Sequence, residues 1–344
     1  MMRTMKTAVV AALLGMVPWP VLAAQSAAAV DRASAVLKMA GFQGEIAVRR
    51  GEDTAGTAVG MEGAGQAWPW ASVTKQVVAV MVLQAVEKGS IALDEPSSRY
   101  LPELGDALAA PTVRQLLQHR SGLRNPNDTP LDETGMPSFY TNGETGLAWC
   151  LQGRAAPPRE GWQYNNCDYI VLGEILRRSG GTVLQLFTDR MAKPAGLTQA
   201  RFAAPDVAGD YHAAEPAFDR QLVRFGAAGG LTGPLADMLR FNQALLSGKL
   251  LSDKARAELW RGDPALGFMG LGQWAFEAKL PGCDAPIRLI ERRGAIGAYQ
   301  VRNIILPDSG WSVALATKDG KFDFGEIWTG KGAMHDTLAA IACS

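Results

Sequence analysis

An excess of charge of either sign is what this 344-residue chain most plainly lacks, since 34 lysines and arginines balance 34 aspartates and glutamates. A formal net charge of zero removes the basic footprint by which a chain holds nucleic acid, and leaves a small-molecule or peptide substrate as the expected partner. Histidine is scarce as well: His119, His212 and His335 are the whole stock. With no G-x-S-x-G segment beside them, a Ser-His-Asp triad is a poor expectation, and these histidines read as structural or surface residues. No C-x-x-C or His-rich spacing occurs, so neither a metal nor another cofactor is expected. No internal repeat or low-complexity tract stands out.

Long apolar runs are missing too. The longest candidate, Ala8 to Val21, is shorter than the ~20 residues that span a bilayer and is interrupted by Pro18 and Pro20. Arg3 and Lys6 before it and Val21-Leu22-Ala23 after it give the pattern of an export signal over residues 1–24, with a mature chain starting near Ala24 or Gln25. The expectation is an exported protein, periplasmic or secreted, with no stable membrane span after cleavage. Export makes Cys150, Cys167, Cys283 and Cys343 candidates for disulfides, and the sequence leaves three connectivities open. The reading favoured here joins Cys150 to Cys167 across a local loop, and Cys283 to Cys343, tying the chain end to a hairpin.

What is present is a globular composition, 47% hydrophobic and 20% charged, in which the periodicity changes twice. A short amphipathic helix over Val30 to Ala40 precedes two extended segments, Gly44 to Gly51 and Thr54 to Gly60. From Val77 to about Leu250 the pattern is mainly helical, with long loops at Gly122 to Glu144 and Arg201 to Arg220. Extended segments return at Phe268 to Phe276, Ile287 to Glu291, Tyr299 to Leu306 and Trp311 to Thr317, and Gly332 to Ala342 closes the chain as a helix. The predicted fold is α/β of the α+β kind: an antiparallel sheet built from both chain ends (about 25–70 and 255–344), flanked by terminal helices, with a mainly helical lobe (about 71–254) inserted. A cleft is expected where the lobes meet.

Two short motifs carry chemistry. Ser72-Val73-Thr74-Lys75 offers a nucleophile and a base three residues apart, on one face of the helix that runs to the Gly89 stop signal. A lysine serves as base when burial or neighbouring cations disfavour its charged form. Tyr164-Asn165-Asn166 lies in a loop feeding a helix, where a phenol can relay a proton and an amide can hold a lysine or a substrate carbonyl. Tyr140-Thr141-Asn142 has the same spacing without that context, and Tyr164 is preferred.

These motifs, with Trp70-Ala71 ahead of the first, resemble the serine β-lactamase and penicillin-binding protein superfamily, in its class C β-lactamase, D-stereospecific peptidase and esterase branch. Leu116-Leu117-Gln118-His119-Arg120-Ser121-Gly122-Leu123 resembles that branch's L-L-x-H-x-S-G-L block. Gly229-Gly230-Leu231 leading to Asp237 and Phe241 resembles its G-G-L to D-x-x-x-F passage. The resemblance runs from about residue 30 to the C-terminus and implies a β-lactamase/transpeptidase-like fold. It further implies an acyl-enzyme at Ser72, Lys75 and Tyr164 as the proton-handling pair, and Asn166 as a substrate-amide or lysine contact. The substrate classes it implies are an ester, a β-lactam or a D-amino-acid amide, with a non-turnover penicillin-binding or sensory module as the alternative.

The third motif departs from the family. Where Lys or His, a small residue and Gly are usual, the best match is Arg292-Arg293-Gly294. Arg292 keeps the positive charge, whereas Arg293 replaces a small residue and is expected to narrow the cleft beside the nucleophile. By position Ala295 supplies a second oxyanion N–H, beside that of Ser72. No E-x-x-L-N segment lies between the first two motifs, which argues against the class A route to deacylation.

Overall fold

The computed structural model describes residues 20–106, 110–133, 135–141, 146–152, 157–203 and 222–343. The basic region of the expected export signal and its apolar run as far as Trp19, most of the expected 201–220 loop and His212 lie outside them.

Antiparallel pairing joins the two ends of the chain. Strands β1 (Gly44–Arg50) and β2 (Asp53–Val59) come from the N-terminal part, and β3 (Trp68–Pro69), β4 (Arg201–Phe202) and β5 (Leu231–Gly233) form a small separate sheet. From the C-terminal part come β6 (Trp274–Ala278), β7 (Ile287–Ile296), β8 (Tyr299–Leu306) and β9 (Trp311–Thr317). The main sheet has the order β2-β1-β9-β8-β7-β6, so β1 is zipped between β2 and β9. Between them in sequence lie α2 (Thr74–Glu87), α3 (Asn166–Gly180) and α4 (Leu235–Leu246), while α1 (Pro20–Met39) and α5 (Ala333–Ala342) pack together against the sheet.

Strand β9 shows why both faces need cover. All seven of its residues are buried: Val313 and Leu315 join the core under the terminal helices, and Ala314 and Ala316 join the core shared with α2 and α4. Small side chains on that second face let helices approach closely, and each Val or Leu withdrawn from water contributes about 1.5–3 kcal/mol. Helix α2 runs through this core as its central rod, with Val77 to Leu83 essentially inaccessible. Its buried polar residue Gln76 accepts from Asn303 Nδ2 on β8 (2.7 Å), and Asn242 of α4 donates to Asn303 Oδ1 (2.7 Å), so one amide network fixes helix against sheet.

Several boundaries shifted from expectation. Helix α1 begins at Pro20 rather than near residue 30, and β7 continues unbroken through the third motif to Ile296. The strand expected from Phe268 starts only at Trp274, because Phe268 turns the chain with a left-handed φ of +64°. The cysteines pair as Cys150–Cys167 and Cys283–Cys343, the connectivity favoured from sequence.

Candidate active site

The nucleophile candidate stands on a turn rather than on the helix itself. Residues Ala71–Val73 make one 3₁₀ turn that hands over to α2 at Thr74. Ala71 holds φ at +45°, a left-handed conformation that costs an alanine roughly 1–2 kcal/mol and is tolerated because Trp70 and Val73 on either side are fully buried. Ser72 is thereby presented, half-buried, at the helix N-terminus, with Lys75 one turn on and wholly buried.

The second motif is held from behind. Asn165 caps α3 by accepting from the Cys167 amide (2.8 Å) and donates to Leu123 O (2.8 Å), and the Cys150–Cys167 disulfide locks the same turn. His119 and Ser121 both contact Asp168, and the His119 ring packs 4.8 Å from that of Tyr164. Burial, together with Arg292 and Lys75, keeps the His119 imidazole neutral, and burial lifts Asp168 well above the usual carboxylate range. Here the L-L-x-H-x-S-G-L block serves as the wall on which Tyr164 rests.

Four acceptors surround the Lys75 amine: Ser72 Oγ at 3.0 Å, Tyr164 OH at 2.8 Å, Asn166 Oδ1 at 2.7 Å and Ala228 O at 2.5 Å. Ser72 Oγ and Tyr164 OH are 2.5 Å apart. The two carbonyl oxygens, of Asn166 and Ala228, can only accept. In the neutral amine they would take both hydrogens and leave the lone pair facing the two hydroxyls. Lys75 is well below its ordinary pKa, first because it is buried and second because Arg292 is close, with Asp168 opposing. Burial raises the Tyr164 phenol, against the pull of Arg292, so it keeps its proton at neutral pH.

Arg292 is 1% exposed, donates from Nε to Ser72 O (3.0 Å), and lies over the rings of Tyr164 (5.7 Å) and Trp274 (5.4 Å). Gly294 follows on the same face. A Cβ there would stand 2.5 Å from Trp70 O and 3.1 Å from the Ser72 amide nitrogen, so only glycine fits. Pairing between β6 and β7 ends at Glu291, which leaves 292–296 without a strand neighbour on that side. The Ile296↔Tyr299 pair closes a two-residue turn with Gly297 at φ +55°. Alternation of hydrogen-bonded and non-bonded pairs then aims the Ala295 N–H outward over the open edge.

Arg293 departs from the expectation. One residue on from Arg292, it points to the other face of β7, where Glu291 and Glu326 hold its guanidinium at 2.7–3.1 Å. It does not crowd Ser72. The cleft, about 750 Å³, is lined by Ser72, Tyr164, Asn166 and all four third-motif residues Arg292, Arg293, Gly294 and Ala295.

Two contributors escaped the sequence reading. Tyr140, set aside as a decoy, accepts from Asn166 Nδ2 (2.7 Å) and stacks on Phe225 at 3.8 Å in the cleft wall. Ala228 binds Lys75 through backbone alone, and the only signal for it was its place immediately before Gly229-Gly230-Leu231.

Residues 29–330 match the Beta-lactamase family. Esterase EstB of Burkholderia gladioli is 32% identical over 164 residues, covering 42% of each chain, and a D-aminopeptidase of Cereibacter sphaeroides is 28% identical over 191 residues, covering 52% of this chain and 36% of its own. The chain thus covers less than half the length of these curated relatives. Among solved structures, a D-stereospecific amidohydrolase from Streptomyces sp. superposes with a TM-score of 0.74 at 21% identity, covering 91% of this chain and 98% of its own. D-amino acid amidase from Ochrobactrum anthropi SV3, complexed with D-phenylalanine, gives 0.73 at 22%, covering 92% and 99%. At such identities these structures establish the fold, and with the family match over 29–330 the chain belongs to the beta-lactamase family, within the serine β-lactamase and penicillin-binding protein superfamily.

Proposed function

We propose that this protein is an exported serine hydrolase that forms an acyl-enzyme at Ser72 and acts on an ester, a β-lactam or a D-amino-acid amide. The observation that carries the reading is the placing of the Lys75 amine 3.0 Å from Ser72 Oγ, with Asn166 Oδ1 and Ala228 O set to take the hydrogens of its neutral form. Ser72 Oγ attacks the substrate carbonyl carbon and passes its proton to Lys75. Tyr164, bonded to both, delivers a proton to the departing oxygen or nitrogen. The Ser72 and Ala295 amides receive the oxyanion. Water then attacks the ester to Ser72, the same pair accepts its proton, and the acid leaves as Ser72 regains its hydrogen.

The family's range of reactions supports hydrolysis without choosing among leaving groups. Export rests on the N-terminal pattern and on two disulfides, a bond type favoured outside the cytosol. Intact-mass spectrometry after brief incubation with a penicillin or a small activated ester tests the proposal. The expected result is an adduct that decays in the wild type and is absent in Ser72→Ala; hydrolysis retained by that variant would remove Ser72 from its role. An adduct that forms and persists would instead identify the non-turnover module.

A further inference from the structure

Behind Tyr164 lies a group of polar side chains that the proposed reaction does not touch. His119 holds the second motif at two points, one on each side of Tyr164. Its carbonyl oxygen accepts from the Gln163 amide (2.9 Å), and its Nδ1 accepts from the Asn165 amide (3.3 Å). In doing so it adopts a left-handed φ of +58°, uncommon for any residue but glycine. Its ring packs against those of Tyr164 and Tyr169, at 4.8 and 5.2 Å between centroids.

The Asn165 contact fixes where the protons are. A backbone N–H can only donate, so Nδ1 must accept, and the hydrogen of a neutral imidazole is then on Nε2. Asp168 Oδ2 stands 3.1 Å from the same Nδ1, and both side chains are fully shielded from water. Two lone pairs at that separation repel each other; the contact becomes favourable when Oδ2 carries a hydrogen. The other oxygen, Oδ1, accepts from Ser121 Oγ, which itself accepts from the Leu123 amide (3.0 Å). Among the described residues no lysine or arginine pairs with Asp168. The first turn of α3 favours a carboxylate there, but a helix end compensates poorly for taking an ion out of water.

We propose that His119 and Asp168 are positioning residues for Tyr164 that work as an uncharged pair, Asp168 holding the proton on Oδ2 and donating it to His119 Nδ1. The inference rests on the hydrolase reading above and deepens it. The groups that face the pair are Lys75 from α2, Arg292 from β7, Tyr164 and the Tyr169 of α3, while Asp128 and Arg159 share a cavity of about 30 Å³ with His119. Beyond burial and Arg292, an ionised Asp168 would raise the Lys75 amine, and it would raise the Tyr164 phenol too. Lys75 would then keep its proton and lose its use as a base. With the pair uncharged, Arg292 acts on Lys75 unopposed, and Tyr164 is located by hydrogen bonds to the amides beside it instead of by charge. Burial favours the same state, since it raises Asp168 and lowers His119.

With only three histidines in the chain, ¹⁵N-histidine NMR of the untagged mature protein reads the tautomer directly. The signal that His119→Asn removes is expected to be a neutral ring with its hydrogen on Nε2, unchanged between about pH 5 and 9. A hydrogen on Nδ1, or an imidazolium, would overturn the proposal. Hydrolysis of 4-nitrophenyl acetate supplies the functional arm. Asp168→Asn exchanges one uncharged donor for another and is expected to hold the acidic limb of kcat/KM in place, whereas removal of an ionised Asp168 would move that limb down by about one pH unit or more and refute the pair. His119→Leu has no acceptor for the Asn165 amide and should lose about 10- to 100-fold through kcat with KM little changed, and His119→Asn, which keeps an acceptor and tolerates the left-handed φ, should recover part of it. Equal losses in the two variants would reduce His119 to a filler of space and overturn its positioning role. Should His119→Leu fail to fold, the wild-type tautomer and the Asp168→Asn profile decide the matter. The tautomer is read without turnover, so hydrolysis that survives Ser72→Ala would refute the hydrolase reading separately from the state of this pair.

Discussion

Adding one methyl group to Gly294 probes the contact between the third-motif strand and the nucleophile turn. The new Cβ would sit 2.5 Å from Trp70 O and 3.1 Å from the Ser72 amide nitrogen, where carbon contacts normally settle near 3.5 Å. Both neighbours are backbone, so no side chain can swing aside; strand and turn must part by roughly 0.7–1 Å. Overpacking of that size costs about 1–3 kcal/mol. With an unfolding entropy of about 0.7 kcal/mol/K for a chain of this length, Tm should fall by about 2–4 °C. Function should suffer more, because the same movement separates the Ser72 and Ala295 amides that are proposed to share the oxyanion. A misplacement near 1 Å lowers turnover by about 100-fold. The assay is steady-state hydrolysis of 4-nitrophenyl acetate by Gly294→Ala beside a thermal melt, and the loss is expected in kcat. Wild-type kcat in a variant with an unchanged Tm would refute the tight register between β7 and the Ser72 turn, and with it the oxyanion site.

Acidity offers another check. In the proposed mechanism Lys75 acts as its free base, so kcat/KM should rise as pH climbs through its depressed pKa; Arg292→Leu removes a cation that depresses it and should move this limb to higher pH, while Arg292→Lys should hold it in place. A limb that stays put or moves the other way in pH-rate profiles would show that Arg292 does not govern the amine. The disulfides should separate stability from catalysis. Opening Cys283–Cys343, which closes a 60-residue loop on the terminal-helix side of the sheet, should cost about 4 kcal/mol and about 6 °C in Tm with kcat unchanged. Opening Cys150–Cys167, separated by 17 residues, should cost about 3 kcal/mol and lower kcat too, since Cys167 adjoins Asn166; equal effects on kcat from the double alanine variants would contradict this placement.

Local chemistry was legible wherever it is written in consecutive residues. The S-x-x-K spacing brings Ser72, on the turn that opens α2, within 3.0 Å of Lys75 one turn on, and the Tyr164 motif announces itself through the helix it caps. The architecture of two chain ends in one sheet was readable too, because extended and helical segments differ in hydrophobic period.

Other features depend on pairing between distant segments, which no local period encodes. Tyr140 could be separated from Tyr164 in sequence yet belongs to the same site, because its hydroxyl meets Asn166 only after folding. Ala228 contributes a carbonyl, a group every residue owns, and nothing in its side chain advertises that. The two arginines of the third motif show the division most clearly. Sequence determined that both are cations at adjacent positions. Strand alternation, together with the place where β6 stops pairing, sent Arg292 to the nucleophile and Arg293 across the sheet to Glu291 and Glu326. The sequence by itself thus determined the candidate nucleophile and base and the order of the segments, because those follow from spacing and period; which charges face the candidate site was decided by register, a property of two strands at once.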